Sequence, residues 1–280
     1  AALCPFKAFA GRVLRAQPYE DVMDPLSARE RGELLHRALH AVYEADAALP
    51  PSATLEQRVA AGRAAGAKAI QLDDASGPLR REGKRRILAE SVALLADERA
   101  AASELTYRFG ERRFGAGEQD PWGPLALPDD NAREGGDAAT VWVEGRLDRV
   151  DLSPDGRRAR VVDYKTGKSL PSMKALGTTA FQLPLYARVV ARRAPAELTV
   201  AYLSASAVLT GQKRRDHAVA VTSEQLDETA AVAAAIVRGI WSGRVEPRPI
   251  HPSACKRCAA RDLCRKPAVV PPSDDDGASS

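Results

Sequence analysis

Apolar residues recur at helical spacing through the first part of the chain and alternate with polar ones in its middle, and this change of period divides the sequence. Residues 3–16 place Leu3, Phe6, Phe9, Val13 and Leu14 on one side of a short helix. After a loop, Ser27 and Glu30 form the Ser-x-x-Glu pattern that satisfies orphan amides at a helix start, and Leu34, Leu35, Leu39 and Val42 carry that helix on, with His36 on it. Residues 53–71 and 79–105 are rich in Ala, Arg and Leu, with Ile87, Leu88, Val92, Leu94 and Leu95 at helical spacing. Residues 115–139 are rich in Gly, Asp and Pro without any period, which predicts an exposed loop.

Beyond that loop the period becomes that of strands. Residues 140–151 and 158–166 flank Ser153-Pro154-Asp155-Gly156-Arg157, whose Gly and Asp accept the backbone angles of a tight turn. The prediction is a β-hairpin. A helix over 181–193 carries Pro184 in its first turn, where a missing amide does no harm. Two more strands are expected at 197–205 and 215–222, then an Ala-rich helix from Thr222 to Trp241 stopped by Gly243. The expected organisation is one domain over residues 1–266, with a helical part at about 27–113, a core at about 140–243 and a disordered tail over 267–280.

Composition narrows the class only a little. The 280 residues are 45% hydrophobic, enough for a proper core, and 41 Lys and Arg against 37 Asp and Glu leave a net charge of +4. That balance permits a local basic groove without requiring a polyanionic partner. No apolar run long enough for a membrane span and no secretory leader is visible, so a cytoplasmic location is expected. Ala at position 1, with Cys4 already inside a helix, points to a piece of a longer polypeptide. Gly-x-x-x-x-Gly-Lys-Ser/Thr is absent, so the chain is not itself an ATP-driven motor.

The hairpin concentrates the chemistry. A turn centred between Asp155 and Gly156 pairs residues whose numbers sum to 311, which sets Asp148 opposite Asp163. Directly opposed like charges are destabilising unless something positive lies between them, and a divalent cation is the obvious candidate. Alternation sends Asp163 and Lys165 to one face and Val162 and Tyr164 to the other, so two carboxylates and an ammonium share one patch. Carboxylate oxygens suit magnesium or manganese, which polarise phosphoryl oxygens and acidify bound water, while Lys165 can orient that water or offset transition-state charge. Taken singly, Asp148 reads as a strand residue in a surface salt bridge with Arg146 or Arg149, and His36 or His40 as structural.

Four cysteines form a second constellation. Cys255, Cys258 and Cys264 lie within ten residues, and Cys4 lies some 250 positions away. Clustered thiols in a reducing compartment bind metal more often than they form disulfides, and zinc and a [4Fe–4S] cluster both accept four thiolates. A basic run, Arg80-Arg81 with Lys84-Arg85-Arg86, offers possible phosphate contacts.

Gly145-Arg146-Leu147-Asp148-Arg149-Val150-Asp151 followed by Val161-Val162-Asp163-Tyr164-Lys165-Thr166-Gly167 resembles the core of the PD-(D/E)XK nuclease superfamily, in its RecB-like branch. Gln182-Leu183-Pro184-Leu185-Tyr186 is similar to that branch's Gln-x-x-x-Tyr motif, and Gly32-Glu33-Leu34-Leu35-His36 to its Gly-x-x-x-His motif. Two positions depart from the pattern, with Leu147-Asp148 where the superfamily name has Pro-Asp and Asp-x-Lys in place of Glu-x-Lys.

The resemblance implies an α/β fold with a mixed central sheet flanked by helices and an N-terminal helical insert. It implies that His36, Asp148, Asp163 and the Tyr164 carbonyl ligate Mg2+ or Mn2+, that Lys165 is the catalytic lysine, and that Gln182 and Tyr186 support the site and the DNA strand. Cys4 with Cys255, Cys258 and Cys264 is similar to the iron–sulfur clasp of AddB-type and Cas4-type nucleases, which favours [4Fe–4S] over zinc. The implied activity is phosphodiester hydrolysis of DNA, as an exonuclease at strand ends during break repair or recombination, beside a helicase subunit or a helicase domain of a longer chain. A silent DNA-end-binding module of a helicase–nuclease assembly and a Cas4-like nuclease are the alternatives.

Overall fold

The structure, a computed structural model, describes residues 4–16, 26–74, 77–101, 103–115, 122–127, 140–166, 170, 172–193, 195–210, 217–249, 253–256, 258, 260–261 and 263–264. The chain divides into two compact units, one formed by Glu20–Ala235 and the other by both ends, Ala1–Tyr19 with Ile236–Ser280.

Within the larger unit the helices begin where the sequence supplies caps. Helix α2 (Ala28–Ala47) starts behind Ser27, whose hydroxyl accepts the Glu30 amide at 3.2 Å. Helix α3 (Leu55–Ala69) starts at a full capping box, with Thr54 and Gln57 bonding each other's backbone. Helix α4 (Pro78–Ala100) has proline at its first position. These three pack around Leu35, Leu39, Val42, Ile87, Leu94 and Leu95.

Five strands form the central sheet: β1 (Thr106–Phe114), β4 (Gly145–Leu152), β5 (Arg158–Lys165), β6 (Glu197–Ser204) and β7 (His217–Ala220), in the order β1-β4-β5-β6-β7. All neighbours are antiparallel except β5 and β6. A parallel pair needs a crossover, and helix α5 (Gln182–Ala191) supplies it, packing on both strands. A separate two-stranded ribbon joins β2 (Leu125–Ala126) to β3 (Trp142–Val143). The mixed sheet flanked by helices is the fold class expected from the sequence.

The hairpin register is the predicted one, with Arg149 opposite Val162, Val150 opposite Val161, Asp151 opposite Arg160 and Leu152 opposite Ala159. Gly156 sits at φ +69° in the turn, and its amide reaches the Ser153 carbonyl at 2.9 Å. Val162 and Tyr164, with Ala201 and Leu203 of β6, join the core under α2–α4. With its other face under α5, β5 is covered on both sides, so its six central residues are all buried.

Several expectations need correction. Strand β1 occupies 106–114, where the helical part was expected to extend to 113; Tyr107, Phe109 and Phe114 are strand formers that pair with β4. The expected exposed loop at 115–139 contains β2, and Trp122, Leu125 and Leu127 in it are buried. Helix α1 is shorter than expected, Pro5–Arg12, and Val13 and Leu14 beyond it are exposed, so they form no apolar face. A short helix, α6 (Ala205–Leu209), follows β6 directly. Helix α7 (Ser223–Trp241) ends ahead of Gly243, as expected. The tail 267–280 lies outside the described residues.

A buried polar network fastens the helices to the hairpin. Arg149 donates to Asp151 at 2.5 Å, to Glu98 of α4 at 2.7 Å and to the Tyr164 hydroxyl at 3.2 Å, and its guanidinium lies 4.1 Å above the Tyr43 ring of α2. Tyr43 donates to Glu98, and Arg160 donates to Asp151. Burial would raise the Glu98 carboxyl, but the Arg149 charge outweighs it and holds Glu98 below the usual range. Arg149 is therefore committed to this network, and the simple reading that pairs it with Asp148 does not apply.

Candidate active site

Asp148 on β4 and Asp163 on β5 are both buried, and their carboxyl groups are close enough to shift each other's titration. The second oxygen of Asp148 accepts the Tyr164 amide at 3.2 Å. Lys165 lies on the same side of β5 as Asp163 and forms an ion pair with it, with its ammonium 5.3 Å from the centre of the Tyr202 ring. Tyr164, one residue between, turns to the opposite side and joins the helical core. The strand alternation thus gathers two acids and an amine on one patch.

Helix α5 closes over this patch. The Gln182 amide nitrogen donates to Asp163 at 3.3 Å and to the Tyr186 hydroxyl at 3.4 Å, one helical turn apart. The Tyr186 ring packs edge-on against Phe114, their centres 5.8 Å apart. Burial, assisted by the charges of Asp148 and Asp163, pushes the Tyr186 hydroxyl up to about 12, so it stays protonated and able to donate.

Helix α2 delivers His36. Its Nδ1 stands 3.5 Å from an Asp148 oxygen and 3.3 Å from a Glu111 oxygen, and its ring meets Tyr164 edge-on at 5.9 Å. Burial disfavours the imidazolium, but hydrogen bonds and charge from Asp148 and Glu111 outweigh it and push His36 up to about 10. His40, one turn on, contacts the Tyr107 hydroxyl at 3.2 Å. Backbone close approach is needed here: a Cβ on Gly110 would sit 2.9 Å from the Asp148 carbonyl and 3.2 Å from His40.

The acids respond unequally. Burial and the neighbouring Asp148 push Asp163 up to about 7 despite Lys165, whereas hydrogen bonds and charge from His36 hold Asp148 below its ordinary value against its own burial. Lys165 offsets only part of the upward push that burial and Asp148 exert on Asp163. Hard oxygen donors with one imidazole suit a divalent cation of the magnesium or manganese type. Among the described residues, three ligand atoms within 4.8 Å of one another occur at His36, Glu111 and Asp148.

Glu111 was not among the residues singled out from the sequence. Its signal lay in Tyr107 and Phe109 alternating with Arg108, the mark of a strand at the end of a helical stretch. The basic run on α4 is largely engaged within the protein: Arg80 pairs with Glu30, Lys84 is buried beside Asp74, and Arg86 pairs with Glu90.

All four cysteines are free thiols and belong to the unit made from the two chain ends. Cys4 caps helix α1, and its carbonyl accepts the Ala8 amide. Successive tight turns link the others, with the Cys258 amide on the Cys255 carbonyl, Arg261 on Cys258, and Cys264 on Arg261.

No helix among the described residues is long and apolar enough to cross a membrane. No curated protein matches the chain. The sequence profile of the PD-(D/E)XK nuclease superfamily matches residues 1–265, a span that holds the acid-paired hairpin, its lysine and the helices around it, and the chain belongs to that superfamily.

Proposed function

We propose that the protein is a Mg2+- or Mn2+-dependent deoxyribonuclease that hydrolyses phosphodiester bonds at DNA ends in double-strand-break repair or recombination. The observation that carries this reading is the convergence of Asp148, Asp163 and Lys165 under Gln182. In it, His36, Asp148, Asp163 and the Tyr164 carbonyl would hold the cation, which would supply polarisation of a phosphoryl oxygen and a more acidic water. Lys165 lies beside Asp163 and so can orient the attacking water and offset charge building on phosphorus. Gln182 fixes the Asp163 carboxylate, and Tyr186 offers its hydroxyl proton to the strand.

The unit formed by the chain ends suits a polyanion as well. Residues 1–19 and 236–280 carry 11 Lys and Arg against five acids, on a chain whose net charge is only +4. Its four thiolates are soft donors and fit a [4Fe–4S] cluster, with zinc the competing occupant. The helicase partner of such nucleases fits a chain without a phosphate-binding loop of its own.

The test uses purified protein, Mg2+ and labelled single-stranded DNA. Degradation is expected, and Asp163→Ala or Lys165→Ala should abolish it while the protein stays folded. DNA binding that survives chelation, with no cleavage in any divalent metal, would assign the protein instead as a DNA-end-binding module. The visible spectrum of anaerobically purified protein separates iron–sulfur from zinc, and Cys4→Ser should remove the absorption.

A further inference from the structure

We propose that Glu111 is a ligand of the cation, and that Arg146 occupies its outer oxygen until the cation binds. This rests on the reading that the hairpin acids hold a divalent ion, and adds a residue and an exchange to it.

Glu111 lies on β1 between Gly110, which pairs with Arg149, and Arg112, which pairs with Leu147, and this sets it level with Asp148 on β4. Its backbone is at φ +50°, a conformation that side-chain-bearing residues rarely take within a strand. From there one carboxylate oxygen points inward to His36 Nδ1 at 3.3 Å, and the other meets Arg146 Nε at 2.8 Å. His36 Nδ1 is also 3.5 Å from Asp148.

Adjacent ligands of one octahedral ion with bonds of about 2.1 Å lie roughly 3 Å apart. The two separations at His36 are only slightly wider, and all three ligand atoms fall within 4.8 Å of one another. A small contraction onto a shared ion would meet that geometry.

Arg146 fits the role of a stand-in. Its side chain is about half exposed, yet its guanidinium is turned onto the one Glu111 oxygen that His36 leaves open. An ion that drew Glu111 inward would weaken this pair and leave a guanidinium at the edge of the site. Guanidinium groups grip phosphate in a two-pronged way, so the freed arginine is placed to meet a nucleic-acid backbone beside the scissile bond.

The experiment titrates the full chain with Mn2+ alone, without DNA, by calorimetry, and counts the waters on the bound ion by water-proton relaxation. Glu111→Gln keeps the shape and one acceptor oxygen, so its melting temperature should stay near that of the parent. Its Mn2+ affinity should fall by about tenfold or more, and the bound ion should gain a water. Arg146→Gln should tighten Mn2+ binding. Parental affinity in Glu111→Gln, with Asp148→Asn losing it, overturns the role of Glu111 and leaves the hairpin reading intact. Weakened binding without the added water also overturns ligation by Glu111. Mn2+ binding indifferent to Asp148→Asn would sink the hairpin reading and this proposal together.

Discussion

Asp163→Asn should make the metal-free protein more stable while destroying cleavage. Burial and Asp148 push the Asp163 carboxyl up to about 7 in the folded protein, whereas an ordinary aspartate titrates near 3.9. The folded protein therefore holds a proton that the unfolded chain has already released between those values. The associated stability is whole below about pH 4 and drains away as pH rises to about 7. At about 1.4 kcal/mol per pH unit, ionising Asp163 opposes folding by roughly 4 kcal/mol at pH 8.

Asparagine has no such charge and still accepts from Gln182. The substitution leaves Lys165 without its partner, but that side chain is 31% exposed and water can solvate it. A net gain of about 2 kcal/mol is therefore expected, or roughly 4–8 °C in melting temperature. The assay is thermal unfolding in chelator at several pH values. The parent should lose stability from pH 5 to 7 more steeply than the variant, and Mg2+ should restore the parent alone. An Asp163→Asn protein that melts lower than the parent in chelator at pH 8 would refute the reasoning.

Three further outcomes follow from the same geometry. Gly110→Ala drives a methyl group to within 2.9 Å of the Asp148 carbonyl, so β4 must shift; a stability loss of about 1–3 kcal/mol in urea unfolding and a drop in cleavage are expected together. Glu98→Gln removes a charge partner of buried Arg149 and should cost about 3 kcal/mol by the same measurement, since Asp151 alone is left to offset two buried arginines, Arg149 and Arg160. Because His36 holds its proton up to about 10 and Asp163 up to about 7, cation binding must displace protons; Mn2+ affinity should rise from pH 6 to 9, and calorimetry in buffers of different ionisation heat should record the release.

The hairpin was legible because its turn sets everything downstream. Asp155 and Gly156 fix the register, and a period-2 strand then has no freedom over which side chains meet. Gln182 and Tyr186 were legible for a similar reason, one helical turn being a fixed distance. Strand β1 was not, because it follows an Ala-rich helix and its second half, Glu111-Arg112-Arg113, carries no apolar alternation. Its pairing with β4 joins residues more than thirty positions apart, and local propensity does not contain that information. Glu111 was lost with it. Val13 and Leu14 misled in the other direction, since helical spacing persists beyond the last turn that forms.

The unit assembled from residues 1–19 and 236–280 imposes an order on the protein's birth at the ribosome. Its first portion emerges more than two hundred residues ahead of its complement, a wait of roughly 10–40 s at ordinary synthesis rates. Through that interval Cys4 is separated from the other three thiols, while the intervening 216 residues, 20–235, have already been made. Loading of any metal centre that needs all four cysteines is thereby deferred until Cys264 has been made. The hairpin acids are under no such delay.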